Sequence, residues 1–226
     1  MSHAAATIFG TTQPQPQQPR KLIPLADADR VAAARNAQLA AEKIRPRIPG
    51  WNVRILKLIN GTEPVRARLR GLYVIADEMT AAAAPYAACK RGCSSCCHMA
   101  TMVSEPEADV IAHAIGVKAR KPKTWPFFDP RSGIERPALT GFVESFHGGI
   151  KPCPFLRNNA CSIYEHRPLA CRVHLNMAAS AESCKMDAPR ETAMLDLRKL
   201  DEAYALIGRS ARMTDIREYF PNGLRK

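Results

Sequence analysis

Eight cysteines lie between residues 89 and 184 of a 226-residue chain, and no other position in it carries one. Four form a tight knot, CKRGCSSCC, at Cys89, Cys93, Cys96 and Cys97; Cys153, Cys161, Cys171 and Cys184 follow at wider intervals. The knot is too crowded for a disulfide framework. Neighbours such as Cys96 and Cys97 have Cα atoms only ~3.8 Å apart, below the usual disulfide range. Thiolates that converge on a metal have no such difficulty, because each sulfur need only reach a common point ~2.3 Å away. The pattern reads as metal binding, against the bland alternative of buried thiols acting as small hydrophobes.

Soft thiolates select zinc, copper(I) or iron–sulfur clusters, and the spacings alone do not decide among them. Zinc ribbons carry two separated C-x2-C knuckles, whereas here only Cys93 and Cys96 have that spacing. Cys89-x3-Cys93-x2-Cys96 matches radical-SAM ligand spacing, but the chain lacks the alternating βα units of that barrel. Cys153-Pro154 is like a ferredoxin cysteine followed by proline, without the three preceding cysteines. His98 and His174 could each complete a site, although a surface or supporting role is the commoner one for such residues. Met99, Met102 and Met177 hint at copper(I), but methionines at apolar positions are more often packing. Arg167 and Arg172 could balance thiolate charge, or simply pair with Glu165 or Glu105. His166, Tyr164 and Pro168 read as structural.

The knot CKRGCSSCC, followed by CPFLRNNACSIYEHRPLACRVH and then Cys184, resembles the YkgJ-type cysteine-cluster family, a zinc- or iron-chelating domain with a CxxCxxCC signature. The resemblance covers about residues 85–190. It implies that the ligand set is Cys89, Cys93, Cys96, Cys97, Cys153, Cys161, Cys171 and Cys184. The first gap here is three residues instead of two, which sets Cys89 apart from the family pattern. Some relatives resemble flagellin lysine methylases, which implies as an alternative an iron–sulfur or iron enzyme doing redox or methyl-transfer chemistry.

The elements that must position these residues are helical. The Gln/Pro-rich stretch 1–24 reads as a disordered lead-in, and 25–60 as an N-terminal helical extension. Within it ADADRVAAARNAQLAAEKI should be helix from about Ala26 to Ile44, with Pro46 and Pro49 breaking it. A cysteine-cluster domain is expected over 61–208, and a tail over 209–226 that packs back through Ile216, Tyr219 and Phe220. Thr62 is a candidate cap for a helix from Glu63 to Ala88 that delivers the chain into Cys89. Ser104 and Glu107 form a capping-box pattern ahead of Val110, Ile111, Ala114 and Ile115, with Gly116 as the stop. Residues 117–152 read as irregular, CPFLRNNACSI as two short strands around Arg157-Asn158-Asn159, and Arg190 to Ile207 as a last helix. The expected fold is mainly α, with a small irregular, metal-organised cysteine-cluster domain and a minimal β-hairpin.

The net charge of +12 is spread evenly. Residues 1–88 hold 12 basic and 6 acidic groups, 89–187 hold 13 and 9, and 188–226 hold 8 and 6. No basic stripe tracks a phosphate backbone, so no dedicated nucleic-acid site is expected. No secretory pattern or apolar run of ~18 residues is present, which predicts no membrane span and a cytoplasmic, thiol-reducing setting. Zinc or iron, possible in principle as an iron–sulfur cluster, is the expected cofactor and metal ions the expected partners. The alanine-rich helix 26–44 could dock a protein. With no GxGxxG, P-loop or Ser/His/Asp constellation, a chelating module is favoured over an enzyme.

Overall fold

The computed structural model describes residues 27–90, 92–122, 151–184, 197–208 and 213–225. It is mainly helical, with two small two-stranded sheets among the described residues. Helix α1 (Asp27–Ile44) ends in a 3-10 turn at Arg45–Arg47 and leads without a gap into α2 (Ile48–Asn60). The expected break at RPRIPG is therefore only a bend. Pro46 and Pro49 fall in the first turns of their elements, where a missing N–H costs no hydrogen bond. Helix α3 (Val65–Ala83) starts two residues later than expected, after Pro64 and without a side-chain cap from Thr62. It closes in a 3-10 turn at Ala84–Tyr86.

Helix α3 is the axis of the molecule. Leu69, Leu72, Ile75, Ala76 and Met79 recur at helical spacing and are buried. Against them pack Ile44, Trp51 and Ile55, and Leu200, Ala203 and Ile207 from α6 (Arg198–Gly208). A Cβ on Gly71 would lie 2.6 Å from a Leu58 methyl, so α2 and α3 approach closely there. Buried Arg68 donates to the carbonyls of Leu58 and Ile59 at 3.3 and 3.2 Å, satisfying the C-terminal turn of α2. Residues 185–196, which include most of the expected start of the last helix, lie outside the described residues, as do 123–150.

A second core joins α4 (Glu105–Ile115) to the chain's end. Ser104 caps α4 by accepting from the Glu107 N–H at 3.4 Å, and Gly116 at φ 66° ends it as expected. Glu107 does not reach back to complete a capping box. It is fully buried, and its carboxylate accepts from the Tyr73 hydroxyl, the Leu169 N–H and the Tyr204 hydroxyl, each at 2.7 Å. The Ser104 N–H donates to Tyr204 instead, at 2.8 Å. One carboxylate thus ties α3, α4, α5 (Leu169–Val173) and α6 together.

Strand β1 (Met102–Ser104) pairs antiparallel with β4 (Met213–Asp215), with Val103 opposite Thr214. The chain then turns into the short helix α7 (Ile216–Tyr219), and Ile216, Tyr219 and Phe220 are buried, as expected for the tail. Phe220 meets Phe155 with ring centroids 5.3 Å apart. The hairpin β2 (Leu156–Arg157) and β3 (Ala160–Cys161) turns on Asn158 and Asn159, at φ 49° and 58°. Two left-handed residues in succession suit a tight primed turn, and asparagine tolerates them best after glycine.

Candidate metal centre

The cysteine region begins where α3 stops. The Ala88 N–H donates to the Asn176 carbonyl at 2.8 Å, and the Asn176 N–H donates to the Cys89 sulfur at 3.3 Å. Asn176 is buried, and its side chain holds the 176–180 loop by donating to the Ser180 carbonyl and accepting from the Ala178 N–H. It also hydrogen-bonds Cys184. Asn176 therefore gathers the first and last cysteines of the sequence, a role no spacing rule would have picked out.

The knot then turns twice. Gly92 sits at φ 88°, in the left-handed region, and the Cys93 N–H closes on the Lys90 carbonyl at 3.0 Å. Ser95–His98 forms a 3-10 turn, in which successive side chains diverge by ~120°. The Cys153 N–H donates to the Cys97 carbonyl at 2.7 Å, so the knot and the second cysteine group are in direct backbone contact. The β2–β3 hairpin carries Cys161 and helix α5 carries Cys171, whose thiol lies 4.0 Å from the Thr101 hydroxyl. All eight thiols are free and half-buried, and three border the cores: Cys89 beside Met177 and Leu175, Cys153 and Cys161 beside Phe155 and Ile163. Met177 is fully buried packing, in line with the bland reading of the methionines.

The strongest mutual effects among the thiols fall into two neighbourhoods. Cys184 is influenced by Cys89, Cys93 and Cys96, and Cys89 by Cys93 and Cys96. Cys97 is influenced by Cys96, Cys153 and Cys171, and Cys171 by Cys153, Cys96 and Cys161. Cys96 belongs to both. Burial first, and then these neighbours, push Cys153 and Cys184 up to about 11 and Cys89, Cys161 and Cys171 upward. Cys96 goes the other way, down to about 7, because the Cys97 thiol hydrogen-bonds to its sulfur; Cys97 is raised by the same bond. Among the described residues, no group of three or more Cys, His, Asp or Glu side chains stands in a geometry that would hold a metal ion as it is. Thiols are soft donors, of the kind that suit a thiophilic metal.

Two arginines border the set. Arg167 lies over the Tyr164 ring at 4.0 Å, and its charge bears on Cys89, Cys96 and Cys161. Arg172 is buried and donates to the carbonyls of Arg167 at 2.9 Å and Glu165 at 2.5 Å. It pairs with the Asp77 carboxylate and stacks over Tyr73. The carboxylate expected as partner, from Glu165 or Glu105, is thus replaced by one from α3, far away in sequence. His98 turns its Nδ1 to the Ser94 carbonyl at 3.3 Å. His174 is half-buried, and burial lowers its pKa, which keeps the ring neutral.

At the far edge Asp215, fully buried, accepts from the Thr101 N–H at 2.7 Å and pairs with Arg217 at 2.9 Å. Arg217 in turn donates to the carbonyls of Cys97, Met99 and Lys151. Neither residue stood out in the sequence, since an Asp-x-Arg pair alone carries no motif.

No curated protein and no solved structure matches this chain. A family model does match, over residues 88–192, under the description CxxCxxCC, "Putative zinc- or iron-chelating domain". The matched segment contains all eight cysteines, and over residues 88–192 the chain is similar to that family.

Proposed function

We propose that the eight cysteines hold zinc or iron jointly, as two neighbouring ions or one polynuclear cluster, and that chelation of this metal is the domain's function. The observation that carries the reading is the pair of thiol neighbourhoods, Cys89, Cys93 and Cys184 on one side and Cys97, Cys153, Cys161 and Cys171 on the other, with Cys96 common to both. Four thiolates saturate a tetrahedral zinc, so a set of this size is large for one ion. Burial and mutual repulsion keep most of these sulfurs protonated, and a divalent cation relieves both by replacing the protons. When bound, the metal would cross-link the knot, the hairpin, α5 and the 181–184 turn, which share little apolar core. Arg167 and Arg217 would offset part of the negative charge left on the loaded site. Reduced thiols persist best in a compartment such as the cytoplasm, the expected setting. No helix among the described residues is long and apolar enough to cross a membrane.

An iron–sulfur enzyme is the second reading. It draws support from a cavity of about 590 Å³ whose lining includes Arg70, Tyr73, His113, His166 and Arg172. Absorption spectra of anaerobically purified protein, with iron, zinc and acid-labile sulfide assays, separate the two. Visible bands with stoichiometric sulfide give the polynuclear form of the chelated metal, and only methyl transfer or redox turnover by that protein then supports the enzyme reading. Colourless, zinc-loaded protein retires it, and protein free of both metals overturns the proposal as a whole.

A further inference from the structure

We infer that residues 213–225, which lie outside the matched family segment, complete the cysteine site, with Arg217 as the residue that positions Cys97 and Cys153. The inference rests on the metal-centre reading above. Its basis is a convergence of bonds on one point. The Cys97 carbonyl accepts from both the Cys153 N–H at 2.7 Å and Arg217 Nη2 at 3.1 Å. From the same guanidinium, Nη1 reaches the Met99 carbonyl at 3.3 Å and Nε reaches the Lys151 carbonyl at 2.8 Å. One side chain thus clamps the end of the knot to the segment entering Cys153.

Arg217 is itself fixed. Its Nη1 lies 2.9 Å from both oxygens of the buried Asp215 carboxylate, whose Oδ1 also accepts the Arg217 N–H at 2.8 Å. Asp215 ends β4 and receives the Thr101 N–H, while the Ile216 N–H returns to the Thr101 carbonyl at 2.9 Å. The tail closes on the same corner a second time: a Cβ on Gly223 would come 2.2 Å from the Pro154 carbonyl, next to Cys153. An ion pair with a buried carboxylate and a fully hydrogen-bonded guanidinium is a poor source of net stability but a good source of fixed geometry. Here the geometry it fixes is the spacing of two thiols, and its positive end faces Cys153.

The test uses the full chain with Arg217→Met and Arg217→Lys, loaded with zinc alone and challenged with a chelator, alongside site-resolved alkylation of the metal-free protein read by mass spectrometry. Loss of an outer-shell partner costs roughly 10–100-fold in metal affinity, so Arg217→Met is expected to give up zinc more readily by that factor. Arg217→Lys falls between, since a compact ammonium keeps the charge but lacks the planar fork that spans the three carbonyls and the Asp215 carboxylate. In the metal-free protein, alkylation of Cys97 and Cys153 accelerates in Arg217→Met while Cys89 and Cys184 keep their wild-type rates. Unchanged zinc retention together with unchanged labelling overturns the inference. So does a uniform acceleration at all eight cysteines, which would make Arg217 a support of the whole fold. A wild-type chain that takes up no zinc or iron overturns the metal-centre reading instead, and the labelling comparison then still decides whether Arg217 positions these two thiols.

Discussion

The bond from the Cys97 thiol to Cys96 separates two adjacent side chains by proton affinity, with Cys96 lowered to about 7 and Cys97 raised. A thiolate is the reactive species, so in the metal-free protein Cys96 should alkylate first, with a rate that rises as pH passes 7. Cys153 and Cys184, pushed up to about 11, should lag until much more alkaline solution. Mass spectrometry of partly labelled protein checks the order, and early labelling of Cys153 or Cys184 would contradict it. Glu107 is the other residue whose surroundings make it informative. Replacing it with Gln puts an amide donor among groups that all donate, at an expected cost of about 1–3 kcal/mol in thermal or denaturant unfolding. Burial raises the Glu107 pKa above its ordinary value, so the folded state binds its proton more tightly than the unfolded chain does. That contribution is complete below the unfolded carboxyl value and is lost as pH rises through the folded one.

Local signals were enough for α1, the cap and stop of α4 and the asparagine turn of the hairpin, because each is decided by a few neighbouring residues. Helix α2 lies within the expected helical extension 25–60, but its start was obscured by reading Pro46 and Pro49 as breakers when both occupy first-turn positions. The β1–β4 pairing spans more than 100 residues and three-residue strands leave no periodicity to detect. For the candidate site, the cysteines were legible from their crowding, while Asn176, Asp77, Asp215 and Arg217 act through contacts that only the fold creates. The closure of the tail offers a test at this scale. Gly223 combines φ 62° with a carbonyl where a Cβ would go, so Gly223→Ala should destabilise the protein by about 1–2 kcal/mol from the backbone alone. A melting temperature equal to wild type would show that residues 213–225 are not held against Pro154.

Across the whole molecule, two kinds of cohesion meet at the end of α3. Residues 27–83 and α6 share a conventional apolar core, whereas Cys89, Cys153 and Cys161 pack only partly buried against the smaller cores. If metal supplies the missing cohesion, Cys96→Ser or Cys171→Ser should loosen residues 89–184 while α3 stays largely helical. Structural zinc sites contribute an apparent ~10–16 kcal/mol, more than many domains' total stability. Circular dichroism and melts identical to wild type would mean that the cysteines do not hold the fold through metal. The claim that joins all three scales is that the eight thiols act as one set. Metal content per chain, measured with a thiol count on the native protein, tests it most directly: the account predicts about two zinc ions, or several irons with sulfide, and thiols that titrate only after the metal is removed. A single zinc with four thiols freely titratable in the native state would contradict it.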